Sequence, residues 1–376
     1  MLESPQAALG GKRVGLLTHA AGITRDLRST VDVFRANPDI HLVALYSPEH
    51  GIRGSEAAGQ KVEGGRDPIT ELPLYSLYGK TKKPTPEMLA DIDVLVVDLQ
   101  DIGSRSYTYI STLYYAMEAA AENHKQVVVC DRPNPMGGIV VDGPVLDPAF
   151  KSFIGVAPIP VVHGMTIGEL AWFFNKEFKI GCDLKVIPMR GWRRSMVFRE
   201  TGLFWVPPSP HIPTPETVLL YPVAGLIGEM GTLSEGVGTP MPFSLVGATW
   251  MDGRALAAAL PKIPGVAFRP LTVKPFYFRN VGEEVHGVQI YVTDPRHFRP
   301  VETSIHLLVQ IHKLWPQNFQ WCPPNQPDIL KNVDAAWGTD RIRKMIDEGR
   351  PADEIIASYQ TDLKNFRRTR ETYKMY

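Results

Sequence analysis

The first two-thirds of the chain alternates short, unbroken apolar runs with stretches of helical period. "RVGLLTH" (13–19), "HLVALYS" (41–47), "DVLVVDLQ" (93–100), "QVVVCDR" (126–132), "PIPVVHG" (158–164) and "LKVIPMR" (184–190) place apolar side chains at successive positions. A strand covered on both faces has no reason to alternate, so these runs predict a largely parallel sheet sandwiched between helices. The helices are legible between them. In "TPEMLADI", Thr85 stands where an N-cap belongs and Pro86 at the first helical position. "YISTLYYAMEAAAENH" spaces Ile110, Leu113, Met117 and Ala120 or Ala121 along one face, and "TIGELAWFFNKEF" follows the fifth run. Such alternation predicts a doubly wound α/β layer. Near residue 245 the texture changes. "RALAAALPKIPGVAFRPLTVKPFYF", "VHGVQIYVTD", "TSIHLLVQIHKLWP" and a charged C-terminal helix pair predict a smaller α+β unit. The expected division is 1–245 for the α/β domain, carrying most of the site, and 246–376 for the smaller domain that closes the cleft.

Composition narrows the class. A length of 376 residues suits two domains better than one core. The balance of 40 Lys plus Arg against 40 Asp plus Glu gives no basic footprint for nucleic acid. The three cysteines, Cys130, Cys182 and Cys322, have neither zinc spacing nor a disulfide framework. No run reaches the roughly 18 to 20 apolar residues of a membrane span, and the start "MLESPQAALGGKRVG" has no signal-peptide core.

The polar signatures fall where the strands end. "SPEHGIRG" follows the second run, "DLQDIGSRSYTY" the third, "CDRPNPMGG" the fourth and "HGMTIGE" the fifth, with "PPSPHIPTPE" and "IGEMGTLSEGVGTP" further on. In an open α/β sheet, ligands bind outside the carboxyl ends of the strands, so these loops predict one shared site. Each has a plainer reading as well. Glu49 and His50 suit a solvated turn, Asp101 and Arg105 a surface ion pair, and Asp131, Arg132 and Asn134 ordinary turn chemistry between prolines. Thr166-x-x-Glu169 is a capping box, which needs no ligand. Glu229 and Glu235 flank a Gly-rich loop.

Several chemistries lack their motifs. "GKRVGLLTHAAG" has no G-x-G-x-x-G turn for a dinucleotide, and neither a P-loop nor a G-x-S-x-G elbow occurs. His19, His50, His163 and His211 show no metal-ligand spacing. The remaining rim of carboxylates, amides, tyrosines and arginines suits a hydroxyl-rich ligand such as a sugar. Hydrolysing a glycoside takes a carboxylic acid to protonate the leaving oxygen and a second group opposite it. Glu49, leaving a buried strand beside Pro48, sits where apolar walls can hold such a proton.

The blocks "SPEHGIRG", "DLQDIGSRSYTYISTL", "DRPNPMGG", "PIPVVHGMTIGELA", "GLFWVPPSPHIPTPET", "LSEGVGTPMPF", "GVQIYVTD", "WGTDRIRKMI" and "RRTRETYKMY" resemble the NamZ-type exo-β-N-acetylmuramidases of bacteria, from about Gly11 to the C-terminus. The resemblance implies a Rossmann-like domain, a smaller C-terminal domain and a cleft between them. It also implies release of N-acetylmuramic acid from non-reducing ends of peptidoglycan fragments, without a nicotinamide cofactor. Residue by residue it implies Glu49 as general acid; the candidates for the second group are Glu169, Asp101 and Glu235, or the substrate's own acetamido oxygen. His50, Arg53, Gln100, Arg105, Tyr107, Tyr109, Asp131, Arg132, Asn134, His163, Glu229 and Glu235 are the expected substrate-binding residues. No metal or other cofactor is expected, and the expected partner is a muropeptide-derived glycan.

The chain departs from the family pattern at Val237, where many relatives carry Arg, and in "LIGEMGTLSEG". A cation for the lactyl carboxylate of muramic acid is then expected from Arg53, Arg105 or Arg132, and another N-acetylhexosaminide remains open as substrate. A non-catalytic amino-sugar-binding protein and an oxidoreductase are the competing classes, the latter weakened by the missing glycine turn. As written, the chain reads as cytoplasmic, and as extracytoplasmic if a leader has been removed.

Overall fold

The computed structural model describes residues 9–376. The stretch read for a signal peptide lies largely outside them. The main sheet is built from β1 (Arg13–Thr18), β2 (His41–Ser47), β3 (Gly65–Arg66), β4 (Pro73–Ser76), β5 (Val94–Asp98), β6 (Gln126–Cys130) and β9 (Asp183–Ile187). Their spatial order is β3-β4-β2-β1-β5-β6-β9, and every pairing is parallel except β3 with β4. Leaving out β3 and counting the parallel strands along the chain gives 3-2-1-4-5-6, the doubly wound order of Rossmann-type sheets. The order reverses between β1 and β5, which pair from Val14↔Val94 to Thr18↔Asp98.

The apolar runs are strands because both faces are buried. On β5, Leu95 and Val97 join the core with Leu17, Tyr46 and Val129, while Val94 and Val96 pack on the other face with Val14, Leu16, Leu45 and Val128. Thr85 caps the turn of helix at Pro86–Leu89, its hydroxyl accepting from Met88 N–H. The helix Tyr109–Glu122 follows β5 and ends at Asn123.

One predicted run falls elsewhere. "PIPVV" yields β8 (Pro160–Val162), which pairs antiparallel with β7 (Asp142–Val145) in a separate two-stranded sheet. Pro158 and Pro160 carry no N–H, and a central parallel strand must donate on both sides. The sixth parallel strand of the main sheet is instead β4, four residues long, beside β2.

The C-terminal part holds a three-stranded antiparallel sheet, order β10-β12-β11, from β10 (Leu245–Ala248), β11 (Val266–Val273) and β12 (Val285–Val292). The helices Pro300–Leu314, Ile329–Trp337 and Gln360–Arg370 follow. Among the described residues no helix is long and apolar enough to cross a membrane.

The two parts are tied by Arg105, which is fully buried. Its guanidinium donates to Pro144 O and Ile159 O at 2.9 Å and to Ala336 O, on the helix Ile329–Trp337, at 2.8 Å. No carboxylate accompanies it among the described residues, and burial pulls its pKa below the ordinary arginine value. Arg105→Met takes this donor from Pro144 O and Ala336 O, each costing about 1–3 kcal/mol, while Ile159 O keeps Leu146 N–H; relief of a buried charge offsets part of the cost. The expected net loss is about 3 kcal/mol, read as a lower urea midpoint.

Candidate active site

The loop after β2 coils tightly: His50, Gly51 and Gly54 all take left-handed backbone, at φ 69°, 76° and 69°. For glycine this is free; for histidine it needs support. His50 receives it from Glu56, whose carbonyl lies 2.8 Å from Nδ1 and whose N–H donates to the His50 carbonyl. The coil turns Glu49 inward, where it is buried. Its Oε1 accepts from Gly59 N–H at 2.8 Å and its Oε2 from the Thr108 hydroxyl at 2.6 Å. The carboxyl is thus held by a loop of β2 and by the N-cap residue of the helix after β5.

Glu49 faces a cleft of about 500 Å³, within the usual range of small-molecule sites. Its walls come from the loops after β2, β4 and β5, from Ser152–Ile154, from Ser209–Ile212, and from Asn332 and Ala335 of the C-terminal part. Its floor is aromatic. Tyr107 packs against Tyr109 at 4.7 Å and Tyr221 at 6.1 Å, and Tyr221 against Phe243 at 4.9 Å. Phe243, like His50, has positive φ, at 59°. Two bulky residues in strained backbone on one cleft wall are the kind of cost that accumulates at working sites.

Glu229 lines the same cleft. Burial raises its pKa, Arg279 opposes the shift, and the nearby carboxylates of Glu235 and Glu49 add to it; the result is about 7. Glu235 lies deeper and is ion-paired, Oε2 to Arg279 Nη1 at 3.1 Å.

Of the residues expected at the site, Glu49, His50, Tyr107 and Glu229 line the cleft. Tyr109 lies behind it, its hydroxyl donating to Pro208 O at 2.6 Å and standing 3.4 Å from Glu49 O. The others have separate tasks. Glu169 completes the capping box at Thr166 and also accepts from Met375 N–H and from Arg194. Asp131 accepts from Thr166, Gly168 N–H and the Tyr376 hydroxyl, and burial raises its pKa to about 6. Arg132 grips Asp98 through Nε at 2.6 Å and Nη2 at 2.9 Å. Asp131 and Arg132 line a second hollow of about 970 Å³ at the ends of β5, β6 and β9, so the polar rim is divided.

Arg53 pairs with Asp67 at 2.5 Å in a third hollow. Arg105 is the internal tie described above. Gln100 donates to Asp101 O and Pro133 O, Asn134 to Met165 O, and His163 Nε2 lies 3.5 Å from Asp101 Oδ2, all buried. The wall residues that were missed include Tyr78 and Lys82, which follow the unread strand β4, the aromatic Phe153, Tyr221 and Phe243, and Thr108, which was visible within "RSYTY". Among the described residues no three His, Cys, Asp or Glu side chains are grouped as a metal ion would require.

Fold and cleft together define a doubly wound α/β protein with two carboxyl groups, Glu49 and Glu229, on one cleft, as acid–base hydrolysis requires. The chain belongs to the NamZ family. Residues 14–216 match the family model "Exo-beta-N-acetylmuramidase NamZ, N-terminal" and residues 219–376 its C-terminal counterpart. It is 47% identical over 378 residues to the "Peptidoglycan beta-N-acetylmuramidase NamZ" of Bacillus subtilis (strain 168), covering 100% of this chain and 90% of that protein. Two crystal structures of DUF1343 family proteins from Bacteroides fragilis superpose with TM-scores of 0.94 and 0.80, at 42% and 29% identity, each covering 100% of this chain and 97% of the other.

Proposed function

We propose that this protein is an exo-β-N-acetylmuramidase, a glycosidase that releases N-acetylmuramic acid from the non-reducing ends of peptidoglycan fragments. The observation that carries the reading is the pair of carboxyl groups in one cleft, in a chain 47% identical along its whole length to a peptidoglycan β-N-acetylmuramidase. In the proposed division of labour Glu229, with a pKa raised to about 7, supplies the proton. Sequence reasoning had given that role to Glu49. As the bond from C1 to the glycosidic oxygen breaks, the proton of Glu229 passes to that oxygen and the leaving sugar departs as an alcohol. Water adds to C1 and its proton goes to Glu49, whose carboxylate is oriented by Gly59 and Thr108. Positive charge developing at the sugar ring is stabilised by Glu49 while the bond breaks.

The test is hydrolysis of an aryl β-N-acetylmuramide with chelator present and no nicotinamide added. Release of the aryl alcohol together with free N-acetylmuramic acid is expected. Tight binding of N-acetylmuramic acid with no turnover would instead define an amino-sugar-binding protein.

A further inference from the structure

N-acetylmuramic acid differs from N-acetylglucosamine by a lactyl ether at O3 that ends in a carboxylate. A cleft that selects the former has to meet that charge, because a carboxylate leaving water wants a cationic partner. The three arginines with the strongest claim from sequence are occupied outside the cleft: Arg53 by Asp67, Arg132 by Asp98, and Arg105 by three carbonyls. Among the described residues lining the cleft, Lys82 is the only lysine or arginine.

Lys82 stands in the loop after β4, and two aromatic rings hold it. Its Nζ lies 4.1 Å from the centre of the Phe153 ring and 5.1 Å from that of Tyr78, and both rings also line the cleft. Ring faces orient an ammonium without neutralising it. The neighbouring lysine shows the contrast. Lys83 Nζ is taken up by Glu122 at 2.7 Å and Glu118 at 3.5 Å, whereas Lys82 forms no ion pair among the described residues. Partial burial lowers its pKa, against which the Glu49 carboxylate acts, so the ammonium is partly stripped of water and open to a carboxylate.

We propose that Lys82 binds the lactyl carboxylate and thereby sets the preference for muramides over glucosaminides. The inference rests on the muramidase reading. It assigns a specificity role to the β4 loop that Val237, lacking charge, does not fill.

The experiment measures kcat/KM for an aryl β-N-acetylmuramide and for its uncharged lactyl amide, in wild type, Lys82→Met and Lys82→Arg. Losing a charge-assisted contact should cost Lys82→Met about 10- to 100-fold more on the muramide than on the amide, and Lys82→Arg should recover part of that difference. Equal losses on both substrates, or no loss on the muramide, would overturn the assignment. In parallel, calorimetry compares the binding of N-acetylmuramic acid and N-acetylglucosamine to wild type and Lys82→Met. If wild type turns over neither aryl substrate, the muramidase reading fails. Binding then decides the Lys82 assignment separately: selective weakening for the acidic sugar supports it, and equal or no weakening rejects it.

Discussion

Glu49→Gln is expected to lower kcat/KM on an aryl muramide about a thousandfold, as removal of a positioned acid–base group commonly does, with the fold intact. The local hydrogen bonds explain why the two effects separate. Gly59 N–H can only donate, so the glutamine oxygen must face it; the glutamine NH₂ then meets Thr108, whose hydroxyl can turn and accept. Both of these hydrogen bonds survive, while the negative charge and the capacity to take a proton are lost. Steady-state kinetics beside an unchanged circular dichroism spectrum and melting temperature would check this. Turnover near that of wild type would remove Glu49 from the reaction.

Glu229 gives the second large effect, and it is read through pH. Only the protonated form can donate, so kcat/KM should fall as pH rises through about 7. Glu229→Gln should lower activity about a hundredfold at pH 6 and abolish that descending limb. The loss should be smallest for leaving groups acidic enough to depart without a proton. Stability should move the other way. The folded protein keeps this proton between the ordinary glutamate value and about 7, where the unfolded chain has released it. Stability attributable to Glu229 therefore declines as pH rises across that window, by up to about 3 kcal/mol. Glu229→Gln escapes the decline, so at pH 8 the inactive variant should melt higher than wild type. A variant that lost both activity and stability would point to a structural role instead.

The sheet was legible wherever burial on both faces produced an unbroken apolar run, as in 13–18, 94–98 and 126–130. The two misreadings have different causes. "PIPVV" has the right side chains but lacks donors at Pro158 and Pro160, and "PLYS" is too short to show a pattern yet forms the outermost parallel strand, beside β2. The site divides along a similar line. Position at strand ends brought Glu49, His50 and Tyr107 to one cleft, and Glu229 joins them from the end of the short helix Leu226–Gly228. The same logic also drew in Arg53, Asp131, Arg132 and Glu169, whose partners Asp67, Tyr376, Asp98 and Arg194 lie between 14 and 245 positions away. Residue type and strand-end position mark polar rims; they do not tell which charges are neutralised internally. Glu169 was the exception, since its capping box could be read locally and is present.

Arg105 has a consequence for how the protein comes apart. One guanidinium bonds to carbonyls at 144, 159 and 336, so a segment within the first family-model match and one within the second share a buried charge. Neither segment can unfold alone without exposing that charge's other acceptors or leaving it short of them. Two stretches of sequence recognisable as separate modules should therefore behave as one cooperative unit, with a single calorimetric transition and no autonomous N-terminal fragment.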